Sequence, residues 1–193
     1  RSAGGATAGK CLVASLAMHG LSFTDAEWTG ILHWRLGVPG DPSLKWCRNA
    51  FTKRREFCDA ELDAHGDHCM VCGVGPGYKR RHDPCCDTWA TFIEETGAHA
   101  SREAFVAELS GREEAWLDIW GYGTPDVTDF ICDVTIRHPM AERYQPQAAN
   151  EAGHTAVRAA NEKRERYPGR AGRAITPLPA ETWGRWGEEA EAL

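Results

Sequence analysis

The stretch from Phe130 to Ile136 constrains this chain more than any other. Its residues are mostly β-branched, aromatic or otherwise apolar, a composition that favours a pleated, half-buried strand. Side chains alternate along a strand, so Phe130, Cys132, Val134 and Ile136 share one face and Ile131, Asp133 and Thr135 the other. Asp133 is then a charge set into a core strand, which is costly unless it is paired or holds a cation. Asp126 lies upstream, after Pro125, and a tight turn at Thr128-Asp129 brings the two carboxylates together. Converging carboxylates suit a Mg²⁺-like ion, which takes one or two acidic oxygens and keeps waters for chemistry. The same residues also fit a plainer arrangement, with Asp126 as a turn former and Asp133 as a strand-end residue bonded to backbone.

Cysteine usage adds a second constraint. The chain holds 8 cysteines in 193 residues. Cys47, Cys58, Cys69, Cys72, Cys85 and Cys86 cluster and are interleaved with His65, His68 and His82. That mixture favours zinc in a reducing, nuclear or otherwise intracellular compartment over a disulfide framework. Cys58, His68 and Cys72 follow the order Cys-x9-His-x3-Cys. A closed tetrahedral site needs a fourth ligand, for which Cys47 comes ahead of Cys69, His65 and His82. The alternative is a set of reduced, partly buried thiols without metal.

Around these two features the chain reads as an N-terminal flexible and helical segment over 1–46, a Cys/His knuckle-like segment over 47–86 and a core over 87–193. Thr24 and Glu27 form a capping-box pattern, followed by an apolar stripe at Trp28, Ile31, Leu32 and Leu36 that stops at Gly37. Asp83 reads as an N-cap with Pro84 at the first helical position, opening a helix that ends at Gly97. The basic run Lys79, Arg80, Arg81 and His82 precedes it, as a phosphate contact or as a basic helix entry. A long helix is expected over Gln147–Tyr167. Its small-residue stripe, Ala152, Ala156, Ala159, Lys163 and Tyr167, places Lys163 on the packing face, where the ammonium snorkels to the rim or enters a site. Ile175 to Pro179, with two prolines, reads as an edge strand. No apolar run approaches the ~18 residues of a membrane span, so no membrane partner is expected. The net charge of −6 speaks against non-specific coating of nucleic acid.

In order and spacing, these motifs together resemble the restriction-like endonuclease domain of site-specific non-LTR retrotransposon polyproteins, a branch of the PD-(D/E)XK superfamily. The resemblance runs from about Leu21 to Gly187. It rests on Arg35-Leu-Gly-Val-Pro39, Asp63-Ala-His-Gly-Asp-His68 with Cys72, an Arg-His pair before a helix, Pro125-Asp126, Asp133-Val-Thr135, Lys163-x3-Tyr167 and Glu181-Thr-Trp-Gly184. The chain departs from that family where Arg55 stands in place of a first knuckle cysteine. It departs from the wider superfamily where Thr135 stands in place of the strand lysine, which in this branch comes from the following helix, here Lys163.

The resemblance implies an α/β fold, a small mixed β-sheet flanked by helices in a restriction-endonuclease-like core, preceded by a helical and Cys/His knuckle segment. It implies DNA nicking with Mg²⁺ or Mn²⁺ on Asp126 and Asp133, Glu103 as a further acidic residue, and Lys163 at the attacking water. Structural zinc on Cys47, Cys58, His68 and Cys72 is the companion expectation. The implied partners are target DNA, element RNA and an upstream reverse transcriptase domain. The competing expectation is a catalytically inactive, zinc-stabilised binding module of a larger assembly.

Overall fold

The computed structural model describes residues 22–51, 56–111, 113–123, 129–170 and 172–193. Asp126 and the turn at Thr128 lie outside the described residues. The chain forms two compact units. One comprises the N-terminal part to Tyr78, His138–His154 and Glu181–Arg185; the other comprises Lys79–Arg137, Thr155–Ala180 and Trp186–Leu193. Each unit draws on separated stretches of sequence, and the segment boundary expected at residue 87 falls within a helix.

In the first unit, α1 (Asp25–Leu36) starts at the expected capping box. The Glu27 N–H donates to Thr24 Oγ1, and the Thr24 N–H donates to Glu27 Oε2 at 2.8 Å. The helix ends at Gly37, whose φ of 67° is the left-handed conformation that glycine adopts without steric cost. A short antiparallel hairpin follows, β1 (Ala50–Phe51) with β2 (Glu56–Phe57). It is extended by a bridge between Trp46 and Glu61. Then α2 (Asp67–Val71) begins beyond Gly66. Gly75 (φ 74°) passes so close to this hairpin that a Cβ would lie 2.4 Å from the Ala50 carbonyl oxygen. In the same unit the His138 ring is buried between Trp34 and Trp183, at centroid distances of 5.6 and 5.7 Å.

The sheet belongs to the second unit. Its order is β3 (His99–Phe105), β4 (Trp116–Tyr122), β5 (Phe130–Arg137) and β6 (Ile175–Glu181). The first two pairings are antiparallel, and the sheet as a whole is mixed. The β5-to-β6 connection runs through α5 (His154–Arg166), the helical crossover that a parallel pair requires. The fold is thus α/β with a four-stranded mixed sheet and helices, and Phe130–Ile136 is a strand of it, as its alternation implied. The proline-bearing β6 lies at the sheet's edge, where missing N–H donors cost least.

Both faces of the sheet are packed. Cys132 and Val134 join Ile119, Leu178 and the α3 residues Cys86 and Ile93 on one side, with Trp89 and Trp186 against them. Ile131 joins Leu117, Ile175 and Tyr167 in a second cluster. Asp133 is 3% exposed, so the charge is fully inside. Gly121 pairs with Phe130, and its missing side chain makes room for that ring, whose Cζ lies 2.4 Å from where a Cβ would stand.

Two helices differ from expectation. The helix expected to open at Pro84 begins a turn and more earlier, as α3 (Gly77–Glu95), and runs through the proline. At the eighth position of α3, Pro84 has no N–H to give the Arg80 carbonyl, and its ring crowds that group. The Lys79–Asp83 ion pair, 2.9 Å, spans the same turn. The single helix expected over 147–167 divides into α4 (Gln145–Ala148) and α5, because Gly153 adopts φ 85°, outside any right-handed helix. The chain ends in α6 (Glu188–Ala192). No helix among the described residues is long and apolar enough to cross a membrane.

Candidate metal centres

The first centre is built by the hairpin and α2. Cys47 and Cys58 lie on the two arms of the hairpin, where the Cys47 N–H donates to the Ala60 carbonyl and the Cys58 N–H to the Asn49 carbonyl. His68 sits on α2 and Cys72 caps it. Asp63 sets the angle of that helix. Its carboxylate accepts the backbone N–H groups of His65, Asp67 and His68 at 2.8–3.0 Å. Burial pushes the Asp63 carboxyl up, but these three donors outweigh it and hold the group below the usual carboxylate range.

The four ligand atoms of Cys47, Cys58, His68 and Cys72 lie within 4.8 Å of one another. Cys47 Sγ and Cys72 Sγ are 3.7 Å apart, and Cys58 Sγ and His68 Nε2 are 3.4 Å apart. The first distance is far beyond a disulfide bond of about 2.05 Å. A tetrahedron built on zinc–sulfur bonds of about 2.3 Å and zinc–nitrogen bonds of about 2.0–2.1 Å has edges of about 3.8 and about 3.6 Å, close to those found. The cluster is a Cys₃His set that can hold a metal ion of zinc size. Cys47 is the fourth donor of the set, and Cys69 and His65 instead line a neighbouring cavity. Burial pushes Cys47 up to about 11, whereas at Cys72 hydrogen bonds from the Asn49 side chain and the backbone at Val74 outweigh burial and bring it to about 6. Asp67 faces away from this centre: its Oδ1 lies 3.2 Å from His138 Nε2, while His138 Nδ1 lies 2.7 Å from Thr182 Oγ1.

The second centre forms where β4 and β5 part. Their ladder ends at Ile119 with Cys132. Beyond it the Val134 N–H donates at 2.7 Å to the Asp118 carboxylate rather than to a backbone carbonyl. On the other side of β4, Glu103 of β3 has φ 51° and no partner between the Arg102–Ile119 and Ala104–Leu117 pairs. Alternation fails at the same place, since Leu117 and Ile119 pack into different clusters. This irregularity turns Asp118 toward α3, where His82 Nε2 lies 3.2 Å from its Oδ2.

Asp133 is the second buried carboxylate here. Lys163 of α5 places its Nζ 2.5 Å from Asp133 Oδ2, so the packing-face lysine points into the unit. Burial pushes Asp133 up to about 6; the Lys163 ammonium opposes this and the nearby Asp118 charge adds to it. At Asp118 burial also acts upward, but hydrogen bonds from His82 and Asp133 outweigh it, and the group stays below the usual carboxylate range. The hydrogen bond to Asp118 pushes His82 up to about 11, with Cys86 adding to it against burial. The site is two carboxylates sharing little charge with water, flanked by two cations.

The structure therefore brings Asp133 and Lys163 together, while Asp126 lies outside the described residues. Glu103 is exposed on β3 and joins no metal-competent cluster among the described residues. Lys79 and Arg80 are exposed, Lys79 paired with Asp83, whereas Arg81 is half-buried and His82 turns inward to Asp118. Asp118 was not singled out from sequence, although the same signal that marked Asp133 marks it: a lone charge between the apolar residues Leu117 and Ile119. No protein-family model matches the chain, and no curated protein matches it.

Proposed function

We propose that this chain is a metal-dependent endonuclease that hydrolyses DNA phosphodiester bonds with a restriction-like core, carrying a structural zinc ion on Cys47, Cys58, His68 and Cys72. The observation that supports the nuclease reading is the convergence of Asp118, Asp133 and Lys163 where the β4–β5 ladder opens. Asp133 and Lys163 are residues the resemblance implies; Asp126 lies outside the described residues, and Asp118 is the carboxylate found beside Asp133. The donor set fits a hard divalent ion: Asp133 Oδ2 is buried and already faces a cation, the Lys163 ammonium at 2.5 Å, whose place a divalent ion would take. Bound there, Mg²⁺ or Mn²⁺ would supply Lewis-acid polarisation of a phosphate and a water of lowered pKa.

The chain's own residues account for the rest. Asp118 is held in one orientation by the Val134 N–H, and Asp133 is fixed by strand β5. Lys163, anchored on α5 and 18% exposed at its side chain, can leave Asp133 to offset developing charge on a phosphate oxygen. As a lysine it also holds or releases a proton more readily than arginine would. Target DNA is the implied substrate. Element RNA and an upstream reverse transcriptase domain are further partners on the same resemblance.

One observation favours the second reading, an inactive zinc-stabilised binding module. Lys163 pairs with Asp133 and His82 with Asp118, as in a structural polar network. Nicking of supercoiled plasmid with Mg²⁺ or Mn²⁺ separates the two. Metal-dependent nicking by the wild type, lost in Asp118→Asn, Asp133→Asn and Lys163→Met, is the expected result. Absence of nicking by folded, zinc-replete wild type across several DNA substrates selects the binding module.

A further inference from the structure

The polar centre of the second unit contains a donor that a hard-ion site has no use for, the Cys86 thiol. His82 and Cys86 stand four residues apart on α3 and so face the same way. This is the His-x3-Cys spacing of His68 and Cys72 in the first unit. Cys86 is fully buried, and its Sγ lies 3.6 Å from His82 Nδ1 and 3.7 Å from His82 Nε2. Asp118 Oδ2 closes the third side, 3.2 Å from Nε2, and the ligand atoms of all three residues lie within 4.8 Å of one another. Tetrahedral edges around a zinc-sized ion are about 3.6 Å between sulfur and nitrogen and about 3.3 Å between nitrogen and oxygen.

Two further contacts point the same way. His82 Nδ1 lies 3.4 Å from Asp83 Oδ1, so with Nε2 toward the ion the ring would sit between a carboxylate and a metal, the usual support of a metal-bound imidazole. Of the other cysteines of this unit, half-buried Cys85 and buried Cys132 are pushed up to about 12 by burial, and neither belongs to a ligand cluster among the described residues; Cys86 faces His82 and Asp118.

We propose that His82, Cys86 and Asp118 form a second transition-metal site, of zinc class, with three protein ligands and an open fourth position. Thiolate and imidazole select such ions over Mg²⁺ and Ca²⁺, and three protein ligands leave one position for water or an added ligand. Uptake releases the Cys86 thiol proton and the His82 Nε2 proton to solvent. The site does not depend on the nuclease reading, since its metal count and spectrum are the same in an inactive module. If the nuclease reading holds, the two sites share Asp118, and a zinc-class ion draws that carboxylate away from Asp133 and so inhibits nicking.

The test is metal stoichiometry and cobalt spectroscopy on the full chain, freed of metal and kept reduced. The wild type is expected to take up a second equivalent of Zn²⁺. With Co²⁺ it should show a second, weaker thiolate-to-cobalt charge-transfer increment after the first site fills. Cys86→Ser and Asp118→Asn should lose the second step and keep the first; Cys58→Ser should do the reverse. If Cys86→Ser does not fold, X-ray absorption on the wild type decides: the mean number of thiolates per zinc falls from about three to about two as the second equivalent binds. A single equivalent, a second step that survives Cys86→Ser and Asp118→Asn, or a thiolate average that does not fall toward that value overturns the proposal.

Discussion

At the scale of single residues, carboxylates organise both centres, and each does so by what it accepts. Asp63 serves three backbone N–H groups at the entry of α2. Asp63→Ala leaves those donors unpaired and should cost about 1–2 kcal/mol by analogy with lost helix caps, together with weaker zinc affinity; denaturant melts and a competitive chelator titration measure both. Asp133 makes a pH-dependent contribution of definite sign. Its folded pKa, about 6, lies above the unfolded value near 3.9, so the folded state favours the proton. Its contribution is fully present below the unfolded value and is lost as pH rises through about 6. In chelator, wild type should therefore lose stability relative to Asp133→Asn between about pH 4 and 6, by on the order of 1–3 kcal/mol. A stability difference that stays flat across that window would show that Asp133 is not buried beside Asp118.

At the scale of elements, what matters is where regular structure stops. The β4–β5 ladder holds from Gly121–Phe130 to Ile119–Cys132 and then opens, which frees the Val134 N–H for Asp118. The closed end is kept tight by the Phe130 ring over Gly121. Gly121→Ala should displace that ring and cost about 1–3 kcal/mol, as overpacked cores do. Because the ladder sets the position of Asp133, on the proposed nuclease reading the same variant should also weaken Mn²⁺ binding there; thermal unfolding with and without Mn²⁺ reports both effects. The helices were legible from sequence where local chemistry sets their ends, as at Thr24, Glu27 and Gly37. They were not where a local rule met a stronger local fact. Pro84 reads as a start signal, yet α3 already runs upstream of it. The small-residue stripe from Ala152 to Tyr167 reads as continuous, yet Gly153 breaks the helix next to Ala152.

At the scale of the whole molecule, the two units are stabilised differently. The second has a sheet packed on both faces. In the first, α1 and α2 contain no buried residue and the hairpin strands are two residues long, so metal ligation is expected to carry much of its stability. Strong chelation should make Cys47, Cys58 and Cys72 available to a thiol reagent while Cys132, fully buried under the sheet, stays protected. Alkylation followed by mass spectrometry reads this cysteine by cysteine. Equal protection of all four after zinc removal would show that the knuckle holds without metal.

The sequence by itself determined the donor types and the local spacings: His68 and Cys72 on one turn, Lys163 on the packing face of α5, Asp133 on a core strand. These follow from helix and strand periodicity, which needs no knowledge of distant neighbours. Which donors meet was decided by tertiary structure alone. Cys47 reaches Cys72 because the hairpin folds back on α2, and Asp118 meets His82, 36 residues earlier, because β4 loses its alternation where β5 parts from it. That irregularity comes from the pairing of three strands at once, and no periodicity within β4 encodes it.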